Sequence, residues 1–255
     1  MPLPDLVWLP VAFFVVALLY ASVGFGGGSS YLALLSLVLT DLATIRTVAL
    51  LCNVVVVAGN CYTYWRAGSL NLQKALPFVL LSVPAAFLGG TLRLTETAFF
   101  VTLGGVLISA ALLLVAQSSR RSPTTPAVRL LPLVSSALGG GIGLLSGMVG
   151  IGGGILLSPV LHLLRWGTAA RIAALASVFI LVNSLAGLAG LAASGSLGAS
   201  GWLPGALVGA VLVGGLLGSR MGLTVLGPRW MKRATAALVL YVGIRLVLRY
   251  GLGVA

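Results

Sequence analysis

Two stretches of this chain, Val101 to Ala116 and Arg171 to Ala193, run almost without interruption by polar side chains for the length of a membrane-crossing helix. A soluble domain could bury one such segment, but the pattern recurs along all 255 residues, which are 59% hydrophobic and only 7% charged. Fifteen Lys or Arg and three Asp or Glu cannot cover a surface that faces water. A bilayer solvates an apolar exterior, so the surroundings must be lipid. A β-barrel would alternate apolar and polar residues along short strands, which these runs do not. The fold class is therefore all-α polytopic membrane protein.

Apolar runs and breakers divide the first half into Leu6 to Val23, a GFGGGSS interruption, Tyr31 to Thr40, Thr44 to Tyr64, Ala75 to Leu92 and Ala98 to Ala116. The second half repeats the order as Leu130 to Val149, a GIGGG interruption, Ile155 to Leu164, Ala169 to Ala193, Trp202 to Leu223 and Met231 to Leu248. Letters repeat as well as hydropathy. Val23-Gly-Phe-Gly-Gly-Gly matches Val149-Gly-Ile-Gly-Gly-Gly at an offset of 126, Arg46 matches Arg171 at 125, and Gly68-Ser-Leu and Leu76-Pro match Gly195-Ser-Leu and Leu203-Pro at 127. Four matches in order at nearly constant offset indicate a duplicated unit. The division is residues 1–117, a polar linker at 118–128, and residues 129–255.

Charge separates the equivalent loops. The loop from Arg66 to Lys74 is basic, whereas Gly195 to Gly201 has no charge. The loop from Arg93 to Glu96 is balanced, whereas its counterpart holds Arg220, Arg229, Lys232 and Arg233. Basic loops prefer the cytoplasm, so equivalent loops should lie on opposite faces and the repeats should be inverted. The linker, with Arg120, Arg121 and nearby Arg129, is then cytoplasmic and both termini extracytoplasmic. Each glycine-broken pair enters and leaves on one side, as full spans or as a re-entrant pair, for an expected total of eight spans. The N-terminus carries Asp5 and no Lys or Arg before its apolar stretch, so that stretch is expected to remain in the mature protein.

The glycine clusters are the strongest local signal. Gly26, Gly27 and Gly28 with Ser29 and Ser30, and Gly152, Gly153 and Gly154, interrupt apolar runs where glycine is a poor helix former. Irregular backbone at membrane depth requires a protein-lined or watery site, and a helix starting after the break aims free N–H groups at it, which suits an anion. Close helix packing through small residues is the other reading.

These motifs, V-G-F-G-G-G and V-G-I-G-G-G at half-length spacing, together with the run from Ala174 to Gly187, resemble the TauE/SafE (sulfite exporter) family over essentially the whole chain. The resemblance implies movement of sulfite, sulfoacetate or other organosulfonates across the bacterial cytoplasmic (inner) membrane, with export as the expected direction. The alternative is an anion channel or a structural membrane subunit. Asn53, Asn60 and the Tyr62 to Trp65 end are departures that leave specificity open.

Asp5, Asp41 and Glu96 all lie at run ends, so no acid occupies a span, which favours anions over cations. Arg46 and Arg171 are either interfacial residues snorkelling to headgroups or a symmetric pair of anion-attracting guanidiniums at the two mouths. Asn53, Asn60, Ser177, Asn183 and Ser184 lie inside long runs, where each needs a partner helix or a substrate oxygen. The candidate substrate-binding set is the two glycine clusters with Ser29, Ser30, Asn53, Asn183, Ser184, Arg46 and Arg171. One His and two separated Cys offer no metal-ligand cluster, and Gly198-Ala-Ser-Gly lies in a loop with the only His upstream, so no catalytic residue, metal or cofactor is expected. The net charge of +12 reads as cytoplasmic and lipid-facing charge, not as a nucleic-acid surface. Expected partners are a small anion, lipid and, from the abundance of small residues, a second copy in a homodimer.

Overall fold

The structure is a computed structural model that describes residues 7–22, 24–118, 130–198, 201–221 and 228–253. The linker beyond Ser118, with Arg120, Arg121 and Arg129, lies outside the described residues, as does Asp5. The described chain is helical throughout its regular elements: α1 (Trp8–Ala21), α2 (Gly28–Val38), α3 (Leu42–Arg66), α4 (Leu72–Thr91), α5 (Glu96–Ser118), α6 (Pro132–Val149), α7 (Gly154–Leu163), α8 (Ala169–Ala193), α9 (Leu203–Met221) and α10 (Pro228–Gly251). Each apolar run of the sequence is one helix. Among the described residues, α3, α4, α5, α6, α8 and α9 are long and apolar enough to cross a membrane.

Local chemistry sets the helix ends. Asp41 caps α3 by accepting from the amides of Ala43 at 3.3 Å and Thr44 at 3.2 Å, and Asn71 caps α4 by accepting from Lys74 N at 3.1 Å. The matching Gly-Ser-Leu triplets close the two longest helices in one way. Gly68 (φ 64°) and Gly195 (φ 65°) take the left-handed conformation, and the next amide reaches back, Ser69 N to Tyr64 O at 3.1 Å and Ser196 N to Leu191 O at 2.9 Å. A repeated sequence thus marks a repeated helix stop.

Backbone contact between small residues holds the bundle together. Gly139, Gly143 and Gly147, one turn apart on α6, sit where any Cβ would strike the carbonyls of Phe78, Ser82 and Ala86 on α4. Gly214 and Gly218 on α9 do the same against Phe14 and Leu18 of α1. Exchanging α1–α5 for α6–α10 turns each major helix pair into another that packs: α4 with α6 becomes α9 with α1, α4 with α8 becomes α9 with α3, and α5 with α7 becomes α10 with α2. The pairs α3 with α8 and α5 with α10 map onto themselves. The halves interleave, and α3 and α8 cross at the centre.

The short helices after the glycine clusters have 11 residues in α2 and 10 in α7. At about 1.5 Å per residue neither crosses a ~30 Å hydrocarbon core.

Candidate substrate site at the two glycine breaks

Both short helices begin at a left-handed glycine, Gly27 (φ 82°) for α2 and Gly153 (φ 80°) for α7, a conformation that costs an L side chain about 1–2 kcal/mol. No side chain caps either helix. Helical bonding starts with Ser30 N and Tyr31 N to Gly27 O, and with Leu156 N and Leu157 N to Gly153 O. The amides before these, on Gly28 and Ser29 and on Gly154 and Ile155, have no acceptor among the described residues. Gly28, Ser29 and Gly154 are buried. Buried N–H groups are seldom left unmatched, and two helix starts aimed inward add partial positive charge.

Asn53 joins the two breaks. It lies near the midpoint of α3 and is fully buried. Its Nδ2 donates to the carbonyl of Ile151 in the second break at 2.9 Å, while Oδ1 has no partner. Oδ1 faces the first break: a Cβ on Gly26 or Gly28 would come within 2.6 or 2.7 Å of it. A Cβ on Gly28 would also lie 2.6 Å from Ile151 O, so the breaks meet beside the midpoint of α3. Ser184 on α8 adds an unpartnered Oγ that would stand 2.9 Å from a Cβ on Gly152. Glycine is required at these positions because backbone, amide and hydroxyl already occupy the space.

The structure therefore brings Gly26 to Ser29, Gly152 to Gly154, Asn53 and Ser184 together. Ser30 turns to the hydroxyl of Tyr20 at 2.8 Å. Asn183 is fully buried beside Ser184 but donates to Phe179 O of its own helix at 2.9 Å, with Oδ1 unpartnered. The two arginines part company. Arg171 is exposed at the start of α8. Arg46 is 5% exposed, and its guanidinium donates to Gly147 O at 2.9 Å, Gly89 O and Gly90 O at 3.2 Å, and Leu92 O at 3.3 Å. It ties α3 to the C-terminal end of α4 and to α6, where unmatched helix carbonyls favour a cation. The two arginines, which the sequence left as interfacial residues or a symmetric anion-attracting pair, are one buried clamp and one surface residue. Asp41 and Glu96 line a cavity of about 390 Å³ at this end of α3, together with Arg46, Arg93 and Ser196.

Three further residues belong to the first break. Asn60 donates to Phe25 O at 3.3 Å, Ser177 donates to Gly24 O at 2.7 Å, and Tyr64 lies against Gly24. Arg46, Asn53 and Asn60 recur every seven residues, a spacing that keeps them on one face of α3. That spacing was the available signal.

A lipid-exposed helical bundle with broken half-helices meeting at its centre defines a membrane transporter. The chain belongs to the sulfite exporter TauE/SafE family, whose model matches residues 9–246. It is 34% identical over 245 residues to the "Probable membrane transporter protein y4hK" of Sinorhizobium fredii (strain NBRC 101917 / NGR234), an alignment that covers 95% of this chain and 98% of that one. No solved structure matches the chain. The protein is a transporter and not an enzyme.

Proposed function

We propose that the protein carries a small sulfur-containing anion, sulfite, sulfoacetate or another organosulfonate, outward across the bacterial cytoplasmic membrane. The reading rests on Asn53, whose buried amide bridges two glycine breaks beside four helix-start N–H groups that have no acceptor among the described residues. Tetrahedral and pyramidal oxyanions need several convergent donors, and preorganised backbone amides supply them without full charges. The family's description as sulfite exporters supports the sulfur chemistry. A carrier is favoured over a channel because Arg46, Asn53 and Asn60 are all buried, so the polar face of α3 is covered along its length.

The halves are oriented oppositely in this proposal, with the basic Arg66 to Lys74 loop in the cytoplasm and both termini outside. The exchange of helix contacts between halves supports the pairing of elements that this requires. Proteoliposomes loaded with sulfite or sulfoacetate test the substrate: saturable efflux is expected, and unsaturable chloride flux or no flux of any sulfur oxyanion overturns it. Single cysteines at Ser69 and Ser196, with Cys52 and Cys61 replaced, test the orientation. Labelling from opposite sides is expected.

A further inference from the structure

We infer that Tyr64 is the gate between the glycine breaks and the aqueous phase at the C-terminal end of α3. The inference rests on the reading that the breaks hold the substrate. Tyr64 stands eleven residues beyond Asn53, close to three full turns, so it occupies the same face of α3 about 16 Å further along. Asn60 lies between them on that face. Tyr62, Thr63, Trp65 and Arg66 around it are exposed, whereas Tyr64 is half-buried, so it is the residue of the last turn that points inward.

Its ring fills the notch that Gly24 leaves. A Cβ on Gly24 (φ 85°) would lie 2.8 Å from Cε2 and 2.9 Å from Cζ of Tyr64 and would overlap its hydroxyl. The backbone beneath is fixed, because Ser177 holds the carbonyl of Gly24 and Asn60 holds that of Phe25. Packing alone retains the ring, since its hydroxyl makes no hydrogen bond among the described residues. At the opposite end of the same face the cavity beside Asp41 and Glu96 reaches Arg46 but not Asn53, and Arg46 closes the face beneath it through bonds to four carbonyls. One end is sealed by a ring that a rotamer change can lift, the other by a network spanning three helices. The first opening from this closed arrangement is therefore at Tyr64, and the charge of the adjoining loop places that side in the cytoplasm.

The test uses a cysteine reporter beneath the gate and needs no substrate. Asn60→Cys, in full-length protein with Cys52→Ala and Cys61→Ala, is reconstituted and exposed to a membrane-impermeant methanethiosulfonate on the side of the 66–74 loop. A gate that is open in a minor state of about 0.1–10% predicts slow labelling, accelerated by about tenfold or more in Tyr64→Ala. Tyr64→Phe, which keeps the ring, should label as slowly as Tyr64. Tyr64→Leu, which keeps apolar packing without the ring's reach, provides a second open variant if the alanine protein folds poorly. Unchanged rates in the folded alanine or leucine variants overturn the inference, as do fast rates in the phenylalanine variant. Failure to transport any sulfur oxyanion would sink the proposed substrate and leave these rates unaffected.

Discussion

The two glycine breaks share a backbone and differ in what surrounds it. Gly27 and Gly153 have nearly the same φ, and each faces an aromatic ring, Tyr31 for the first and Phe179 for the second. Gly28 faces Asn53, whereas Gly154 faces Ile180. Gly24 lies under Tyr64, and Gly150 under the backbone of Arg46. Both breaks have the helix start and its amides, but the polar side chains are shared unequally: Asn53 touches both, Asn60, Ser177 and Tyr64 lie at the first, and Ser184 lies at the second. Under the proposed function, an anion bound between them would meet backbone donors from both breaks, with Asn53 shared and Ser184 at the second. The two breaks are thus alike in backbone and unequal in side chains, with α3 carrying most of the difference.

The largest difference in stability is expected at the arginines. Arg46→Ala removes the cation from four carbonyls and should lower stability by about 3 kcal/mol, whereas Arg171→Ala, at an exposed site, should stay within about 0.5 kcal/mol. Arg46→Lys should recover little, because an ammonium cannot reproduce the fork. Unfolding midpoints in detergent measure all three. Equal losses at Arg46 and Arg171 would restore the symmetric pair.

At the centre the two breaks differ at Asn53 and Ile180. Asn53→Ala removes the bridge to Ile151 and the amide beside the first break, and should weaken anion binding by about tenfold or more. Ile180→Val alters one methylene and no polar group, so affinity should stay within about threefold. Equilibrium binding of sulfite or sulfoacetate to purified protein reads both. A larger loss from Ile180→Val would make the second break the selective one.

Much of this architecture was legible in the sequence because its signals are local. The run from Thr44 to Tyr64 is the body of α3, Ala169 to Ala193 is α8, and each glycine cluster ends one helix and starts another. The spacing of Arg46, Asn53 and Asn60 declares a polar face. What that face meets is not local. Arg46 binds carbonyls of α4 and α6, backbone groups that every residue carries and no letter distinguishes. Tyr64 and Gly24 are forty residues apart, and their fit depends on where a side chain is missing. Asn183 and Ser184 are neighbours in sequence but project in different directions from α8, and only Ser184 reaches a glycine break.

Gly27→Ala and Gly153→Ala compare the two helix starts directly. Each forces a Cβ into the left-handed region and should cost about 1–2 kcal/mol. Crowding adds to this unequally. The new methyl meets Tyr31 ring atoms at 3.0 Å in the first break and Phe179 Cε1 at 2.8 Å in the second. Gly153→Ala should therefore be the more destabilising of the two by unfolding midpoint. The reverse order would mean that the Tyr31 side is the less yielding.

The smallest effect is expected at Ser177. Its hydroxyl lies 2.7 Å from Gly24 O and 2.9 Å from Ala173 O, and its single proton is shared between them. Ser177→Ala leaves Ala173 O with its helical amide partner but deprives Gly24 O of its side-chain donor. The cost should be about 1 kcal/mol. At the equivalent place in the first half, an offset of 127 puts Leu50, and among the described residues no side chain donates to Gly150 O. The second break thus folds without this tether. A shift of the unfolding midpoint corresponding to about 1 kcal/mol would show that the tether steadies the first break without being required for it. No shift would remove Ser177 from the differences between the breaks, and a loss several times larger would mean that the first break depends on its tether in a way the second does not.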